Sequence, residues 1–363
     1  MRFLHTADWQ MGMRAPHGAE QKAEDFNRAR MEAAERVLDA AKRHQVDFLL
    51  LAGDTFENNA VSRPLVRRVA ELLGRAPCPV FVLPGNHDPL VPGSVWEHPV
   101  WEEYPNLFVL RRAEPIEVPG GLLLACPVTS PHSRRDPTAW IQVQAEERIC
   151  VVAAHGNLQE VSPDGELPLS KQAPSATGAD YIALGHWHSV HKVRGLDGMV
   201  RMAYSGTHEP TRFEEPNSGK ALVVEIPARR APPSLEEVET GRLSWHALDR
   251  QVLERTDLEA LRRDLEAIPN PKDSLVRARL RGVYPPDAED ILSELEVILE
   301  SRFLLGYLDT KDLNQLPQDD SWLERITDPL GRALAEELLA QPDTQARVLA
   351  LRELLDILRQ VVP

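Results

Sequence analysis

The chain has 363 residues, 42% of them apolar and 27% charged, enough to bury two or three packed units without staples. Its formal charge of −15 argues against a globally basic nucleic-acid binder, although carboxylates gathered for divalent cations add negative charge and a local basic groove can still engage a polyanion. Cys78, Cys126 and Cys150 are odd in number, far apart and at no metal-ligand spacing, which excludes a full disulfide framework and reads as reduced, buried thiols.

The opening MRFLHTADWQ lacks the basic and long apolar regions of a secretory leader. Apolar runs such as Phe48–Ala52 and Leu122–Cys126 are too short to cross a bilayer, so a cytoplasmic protein with no membrane partner is expected. Short apolar strands ending in a polar residue are predicted at Arg2–Ala7, Asp47–Ala52, Val80–Leu83, Cys150–Ala154 and Tyr181–Leu184. Helical spacing covers Glu20–His44 and Arg63–Leu73. Leu107–Leu110, Ile116–Val118 and Leu122–Ala125 suggest hairpins, with Pro119 to Gly121 as a turn. The mixture is α/β.

Three prolines in IPARRAPP mark a break at about Pro227–Pro233. Beyond it the order becomes strand (Leu243–Leu253), helix (Leu258–Ile268), strand (Ser274–Leu280), helix (Ala288–Glu300), strand (Phe303–Asp309). From Trp322 onward the pattern is helical, split at Gln341-Pro342-Asp343. The last piece, Gln345–Val361, has an apolar face that serves either its own domain or a partner.

Five polar motifs follow the five strands: Asp8-Trp9-Gln10, Gly53-Asp54, Gly85-Asn86-His87-Asp88, His155-Gly156 and Gly185-His186-Trp187-His188. Each alone is weak, since Gly-Asp is usually a turn and a histidine after a strand is usually structural. Together they are not blandly explained, because strand ends of an open sheet converge on one rim. Oxygen donors mixed with imidazoles suit Mn²⁺, Fe or Zn²⁺, and a shared carboxylate can bridge two cations.

The order D-x-Q, GD, GNHD, H, GHxH over residues 8 to 188 resembles the signature of the calcineurin-like metallophosphoesterase superfamily. RFLHTADWQMG and YSGTHEPTRFEE, with GKALVVEI after it, are similar to segments of the bacterial SbcD-type DNA repair nucleases. The resemblance implies a four-layer β-sandwich flanked by helices over residues 1–228. It further implies a small α+β DNA-capping-like domain over 240–312 and a helical, candidate ATPase-docking segment over 320–363.

Carried over by position, the resemblance makes Asp54 a bridging carboxylate. Asp8, Gln10 and His188 would hold one cation, and Asn86, His155 and His186 the other. His87 becomes the catalytic imidazole, with Asp88 orienting it, and no serine or cysteine nucleophile is needed. Two divalent ions are implied, Mn²⁺ first, with Mg²⁺, Fe or Zn²⁺ as alternatives. Gln10 departs from the family's histidine, which implies a weaker or harder site there.

The function so implied is a DNA exo- or endonuclease acting at DNA ends, with an SMC-like ATPase partner and a homodimeric state. A phosphatase or small-molecule phosphodiesterase of the same fold, and a non-cutting scaffold, stand as alternatives. Against a protein phosphatase, the residues after Asp54 are Thr-Phe-Glu-Asn-Asn. Arg134, Arg135 and Arg212 are candidate phosphate contacts. His5 reads as a core residue or one hydrogen-bonded behind the site, and His191 and His208 as rim or solvated loop residues. Trp9 and Trp187 read as walls of the site or packing behind it, with base stacking as the sharper option.

Overall fold

A computed structural model describes residues 1–15, 22–130, 132–143, 146–158, 166–195, 197–315 and 328–340, with Leu323, Ile326, Ala350, Glu353 and Leu354. In chain order the first compact unit, Met1–Leu243, carries β1 (Arg2–Thr6), α1 (Ala23–Arg43), β2 (Phe48–Ala52), α2 (Arg63–Gly74), β3 (Val80–Leu83) and β4 (Leu107–Val109). It continues with β5 (Pro115–Val118), β6 (Gly121–Ala125), β7 (Ile149–His155), β8 (Asn157–Leu158), β9 (Pro168–Leu169), α3 (Ala173–Thr177) and β10 (Tyr181–Gly185). β11 (His191–Arg194), β12 (Val200–Tyr204), β13 (Lys220–Glu225) and β14 (Ser234–Glu239) complete it.

These strands form two six-stranded sheets, ordered β14-β13-β1-β2-β3-β4 and β11-β12-β10-β7-β6-β5, and β8 pairs with β9 in a short ribbon. In the first sheet β1, β2, β3 and β4 are parallel and the antiparallel pairs lie on the β13-β14 side; in the second, β12, β10, β7 and β6 are parallel and β11 and β5 are antiparallel edges. Strands buried on both faces read as continuous apolar runs rather than alternating ones. Phe48-Leu-Leu-Leu-Ala52 is such a run, wholly buried. Phe48 and Leu50 face the second sheet, among Phe3, Phe81, Val151 and Tyr181, and Phe3 stacks on Phe48 at 4.8 Å. Leu49 and Leu51 face the other way, onto Val37 and Leu38 of α1 and Val69 and Leu72 of α2. On the far side of the second sheet Leu124, Val152 and Ile182 pack with Ile141, Leu158 and Ala173. The layers are helix, sheet, sheet, and an outer layer containing α3.

Both long helices have ordinary end chemistry. α1 places Glu24 and Asp25 in its first turn and Lys42 and Arg43 in its last, matching the helix dipole. α2 is capped by Ser62, whose side chain accepts from Leu65 N–H, with proline in its first turn.

The seam lies further along than the proline-rich stretch suggests. β14 pairs with β13 along its whole length, from Lys220↔Glu239 to Glu225↔Ser234, so residues 227–233 are the loop of a hairpin. That loop is stapled down: Arg229 Nη1 donates to Asp180 Oδ1 at 2.7 Å, and Arg229 Nη2 to the carbonyls of Val143 and Gly178. Proline removes ladder donors, but a hairpin loop needs none. The first unit therefore ends at Leu243 rather than 228.

The second unit, Ser244–Pro363, contains β15 (Ser244–Val252), α4 (Arg255–Ala267), β16 (Ser274–Tyr284), α5 (Glu289–Arg302), β17 (Leu305–Gln315) and α6 (Pro329–Leu339). β15, β16 and β17 are parallel, and their core joins Val276, Ala278 and Leu280 to Leu258, Leu261 and Leu265 of α4 and Leu295 and Leu299 of α5. Leu323, Ile326, Ala335 and Leu354 form a smaller cluster. The expected helix Gln345–Val361 and the split at Gln341-Pro342-Asp343 lie outside the described residues, apart from Ala350, Glu353 and Leu354. Among the described residues no helix is long and apolar enough to cross a membrane. Cys126 and Cys150 are buried and Cys78 partly so, all three free.

Candidate metal centre

The C-terminal ends of β1, β2, β3, β7 and β10 open onto one rim, and the backbone there is unusual. Asp8, Gln10, Asp54 and His186 all have positive φ, 54°, 46°, 52° and 110° respectively, a region non-glycine residues seldom occupy. Backbone hydrogen bonds zip the first two loops together: Asp8 N–H to Gly53 O and Gln10 N–H to Asp54 O, both 3.0 Å. The glycines before Asp54 and Asn86 are required by close approach. A Cβ on Gly53 would lie 2.1 Å from His155 Nδ1, and one on Gly85 2.2 Å from Asp54 Oδ1.

On this scaffold an Asp54 carboxylate oxygen and one ring nitrogen each of His155 and His186 lie within 4.8 Å of one another. Asn86 Oδ1 sits between the imidazoles, 2.8 Å from His155 Nε2 and 2.9 Å from His186 Nδ1. His155 Nδ1–H donates to Ala52 O at 3.0 Å, which turns Nε2 toward Asp54 Oδ2, 3.4 Å away. Gln10 Nε2 donates to the same Asp54 oxygen at 3.1 Å. Both Asp8 oxygens accept from His186 N–H, at 2.9 and 3.0 Å. His188 Nδ1 is 2.8 Å from both Glu215 Oε1 and Thr211 Oγ1, which leaves its Nε2 for the cleft.

The electrostatics follow. Burial raises Asp8 above the ordinary carboxylate range, against the pull of His155 and His188. Burial would raise Asp54 too, but the His155 charge and hydrogen bond hold it low. Burial would lower His155, but Asp54 and Asp8 raise it.

The residues fit a divalent cation. Gln10 Oε1 is a buried oxygen with no hydrogen-bond partner. With Nδ1–H of His155 given to Ala52 O, its Nε2 faces Asn86 Oδ1 and Asp54 Oδ2, acceptors that are satisfied either by a proton on Nε2 or by a cation between them. An acceptor-rich cluster of this kind wants positive charge at its centre.

Asp8, Gln10, Asp54, Asn86, His155, His186 and His188 are thus brought together, with His87 at the exposed lip. The His87 ring is not held by Asp88. Its Nδ1–H donates to Glu57 O at 2.9 Å. Both Asp88 oxygens are spent on backbone amides, Oδ2 on Phe56 N–H and Oδ1 on Gly85 N–H, so Asp88 is buried under the loop and shapes it. A cleft of about 360 Å³ is lined by Gln10, Met13, Glu57, His87, Asn157, His186, Trp187, His188, Thr211 and Arg212.

Of the candidate phosphate contacts, only Arg212 reaches this cleft, with Nε 3.1 Å from Glu215 Oε1. Arg134 lines a separate cavity of about 440 Å³ with Asp136, Ser170 and Lys171, and Arg135 is an exposed neighbour of it in sequence. His5 is a core residue: Nδ1 meets Tyr181 Oη at 3.2 Å and Nε2–H donates to Leu184 O at 3.1 Å. His208 is neither rim nor solvated; it is fully buried, with its ring 5.0 Å from that of Trp9. Trp9 packs behind the site, and Trp187 lines the cleft. His191 is exposed.

Sequence reasoning missed Glu215, Thr211 and Arg30. Glu215 follows Thr211 by four positions in a stretch noticed only for its likeness to other chains. Arg30 lies on the apolar stripe of α1 with Phe26, Ala33 and Val37, where a charge is itself a signal.

The family model for calcineurin-like phosphoesterases matches residues 1–190, just over half of the chain. Among curated proteins, the SbcD component of the SbcCD nuclease of Escherichia coli (strain K12) is 26% identical over 270 residues, 62% of this chain and 64% of that protein. The chain thus matches somewhat under two thirds of that relative's length. "DNA double-strand break repair protein Mre11" of Aeropyrum pernix is 25% identical over 340 residues, covering 85% of this chain and 78% of its own. A solved structure, that of the Thermus thermophilus protein TT1561, aligns with a TM-score of 0.44 at 13% identity, over 66% of this chain and 98% of that one.

Proposed function

From the premise that this chain belongs to the calcineurin-like phosphoesterase family, we propose that it is a metal-dependent DNA nuclease hydrolysing phosphodiester bonds at DNA ends. The observation that carries the reading is the clustering of Asp54, His155 and His186, with Asp8 and Asn86 bonded to them, behind a cleft that Gln10, His186, His188 and His87 line. The names of the two relatives favour a nuclease over a phosphatase.

In this reading two cations would be held at the centre, with Asp54 available to both. Asp8, Gln10 and His188 would complete one set, and Asn86, His155 and His186 the other. The cations, Mn²⁺ first, would supply Lewis-acid charge to the phosphoryl group. The chain's own residues do the rest. Ala52 O and Glu215 fix the histidine tautomers, and Asp88 holds the Gly85–His87 loop in shape. Glu57 O aims His87 by accepting from Nδ1–H, and in the imidazolium form Nε2–H delivers its proton to the leaving oxygen, or a hydrogen bond to a non-bridging one, leaving the neutral ring still tied to Glu57 O. Arg212, at the edge of the cleft, meets a flanking phosphate.

The assembly around this centre is proposed with it: an SMC-like ATPase partner, a homodimer and a cytoplasmic location. The second unit takes the place of a DNA-capping domain over about residues 240–312, and 320–363 that of an ATPase-docking segment.

The test is end-labelled single- and double-stranded DNA incubated with Mn²⁺, Mg²⁺ or EDTA, beside His87→Ala. Mn²⁺-dependent cutting that disappears in the variant is expected. Intact DNA with cleavage of a simple phosphodiester would replace the nuclease by a small-substrate enzyme. Metal uptake without turnover on any substrate would leave a scaffold.

A further inference from the structure

Arg30 is a fully buried guanidinium whose hydrogen-bond acceptors are neutral. Nη1 donates to Glu209 O at 3.1 Å and Pro210 O at 3.3 Å, and Nη2 donates to Trp9 O. Nε has no partner, and the group lies 5.9 Å from the Phe26 ring. The Arg30 carbonyl in turn accepts from His208 Nε2–H at 2.9 Å. Glu209, Glu215 and Glu57 favour the charge through space, but burial outweighs them, and a buried charge whose hydrogen bonds go to carbonyls is costly relative to an apolar side chain of the same volume, so stability alone does not account for an arginine here.

What the guanidinium joins does account for it. Trp9 stands between Asp8 and Gln10. Glu209 and Pro210 lie within the segment that holds His188 at both ends, Thr207 N–H donating to His188 O at 2.9 Å and Thr211 and Glu215 meeting its ring. One planar fork therefore joins the segment that carries Asp8 and Gln10 to the segment that supports His188. The other set is fixed differently, by Ala52 O on His155 and by the Asn86 amide between two imidazoles.

We infer that Arg30 is a positioning residue for one half of the metal centre, holding Asp8, Gln10 and His188 in mutual register while leaving the Asn86–His155–His186 half to its own supports. The inference rests on the two-cation reading above. It is tested on the full chain, stripped of metal, by Mn²⁺ calorimetry and by counting bound Mn²⁺ with electron paramagnetic resonance.

Two classes of Mn²⁺ site are expected in the wild type. In Arg30→Met one class weakens roughly 10–100-fold, the usual cost of losing support behind a ligand, while the other is unchanged. Arg30→Lys falls between, because a single ammonium cannot span both carbonyl groups. Should Arg30→Met not fold, Arg30→Lys carries the test under the same criterion, selective loss supporting the inference. Equal weakening of both classes, or of neither, overturns Arg30's role and leaves the two-cation reading intact. Fewer than two Mn²⁺ in the wild type overturns that reading and this inference together.

Discussion

Glu215 Oε1 stands 2.8 Å from His188 Nδ1, so the imidazole is backed by a carboxylate on the side away from the cleft. Burial would lower the His188 pKa, and the Glu215 hydrogen bond raises it. The same contact fixes the tautomer that frees Nε2. Glu215→Ala is expected to weaken one Mn²⁺ site by roughly 10–100-fold and Glu215→Gln by less. Calorimetric affinities equal to wild type would remove Glu215 from the site.

The His87 ring is hydrogen-bonded to Glu57 O rather than to any of the candidate ligands. His87→Ala is therefore expected to keep Mn²⁺ uptake while kcat falls roughly 10²–10⁴-fold, the range for a lost general acid. A parallel fall in metal content would make His87 a ligand rather than a proton donor.

Gln10 meets Asp54 through Nε2 and leaves Oε1 orphaned, a neutral oxygen donor. Gln10→His is expected to tighten the weaker site by roughly tenfold and to shift its preference toward Zn²⁺. Competition of Zn²⁺ against Mn²⁺ reads this directly; an unaltered preference would show that the donor at position 10 does not set it.

His5 supplies a pH signature away from the chemistry. Burial holds its imidazole neutral, lowering its pKa from 6.5 to about 3. The unfolded chain therefore takes up a proton below about pH 6.5 that the folded chain refuses. The contribution to stability is complete above 6.5 and drains as pH falls toward 3, with a slope of at most about 1.4 kcal/mol per pH unit. Denaturant melts of wild type and His5→Gln between pH 7 and 4 should differ in slope by that proton. Parallel curves would mean that His5 titrates when folded.

The parallel strands and the polar motifs at their ends were legible because burial on both faces and polar strand ends are one-dimensional patterns. Phe48–Ala52 followed by Gly53-Asp54 is the plainest case. β14 was not legible as part of the first unit, since Ser-Leu-Glu-Glu-Val-Glu has the half-exposed pattern of any edge strand and follows three prolines. Asp88 read as the partner of His87 through adjacency, whereas the turn directs its oxygens backward onto amides 3 and 32 positions away. Arg30 and Glu215 act across 179 and 27 positions, contacts that only the folded chain defines.

Asp8, Asp54 and Asn86 hang from the first sheet, and His155, His186 and His188 from the second. A cation held between them would rivet one sheet to the other. At a hundred times its dissociation constant it would add about 2.7 kcal/mol to the docked state. Cation affinity would then report sheet docking, and a chain whose sheets had slipped apart would release its ions while each sheet kept its own ladder of amide bonds.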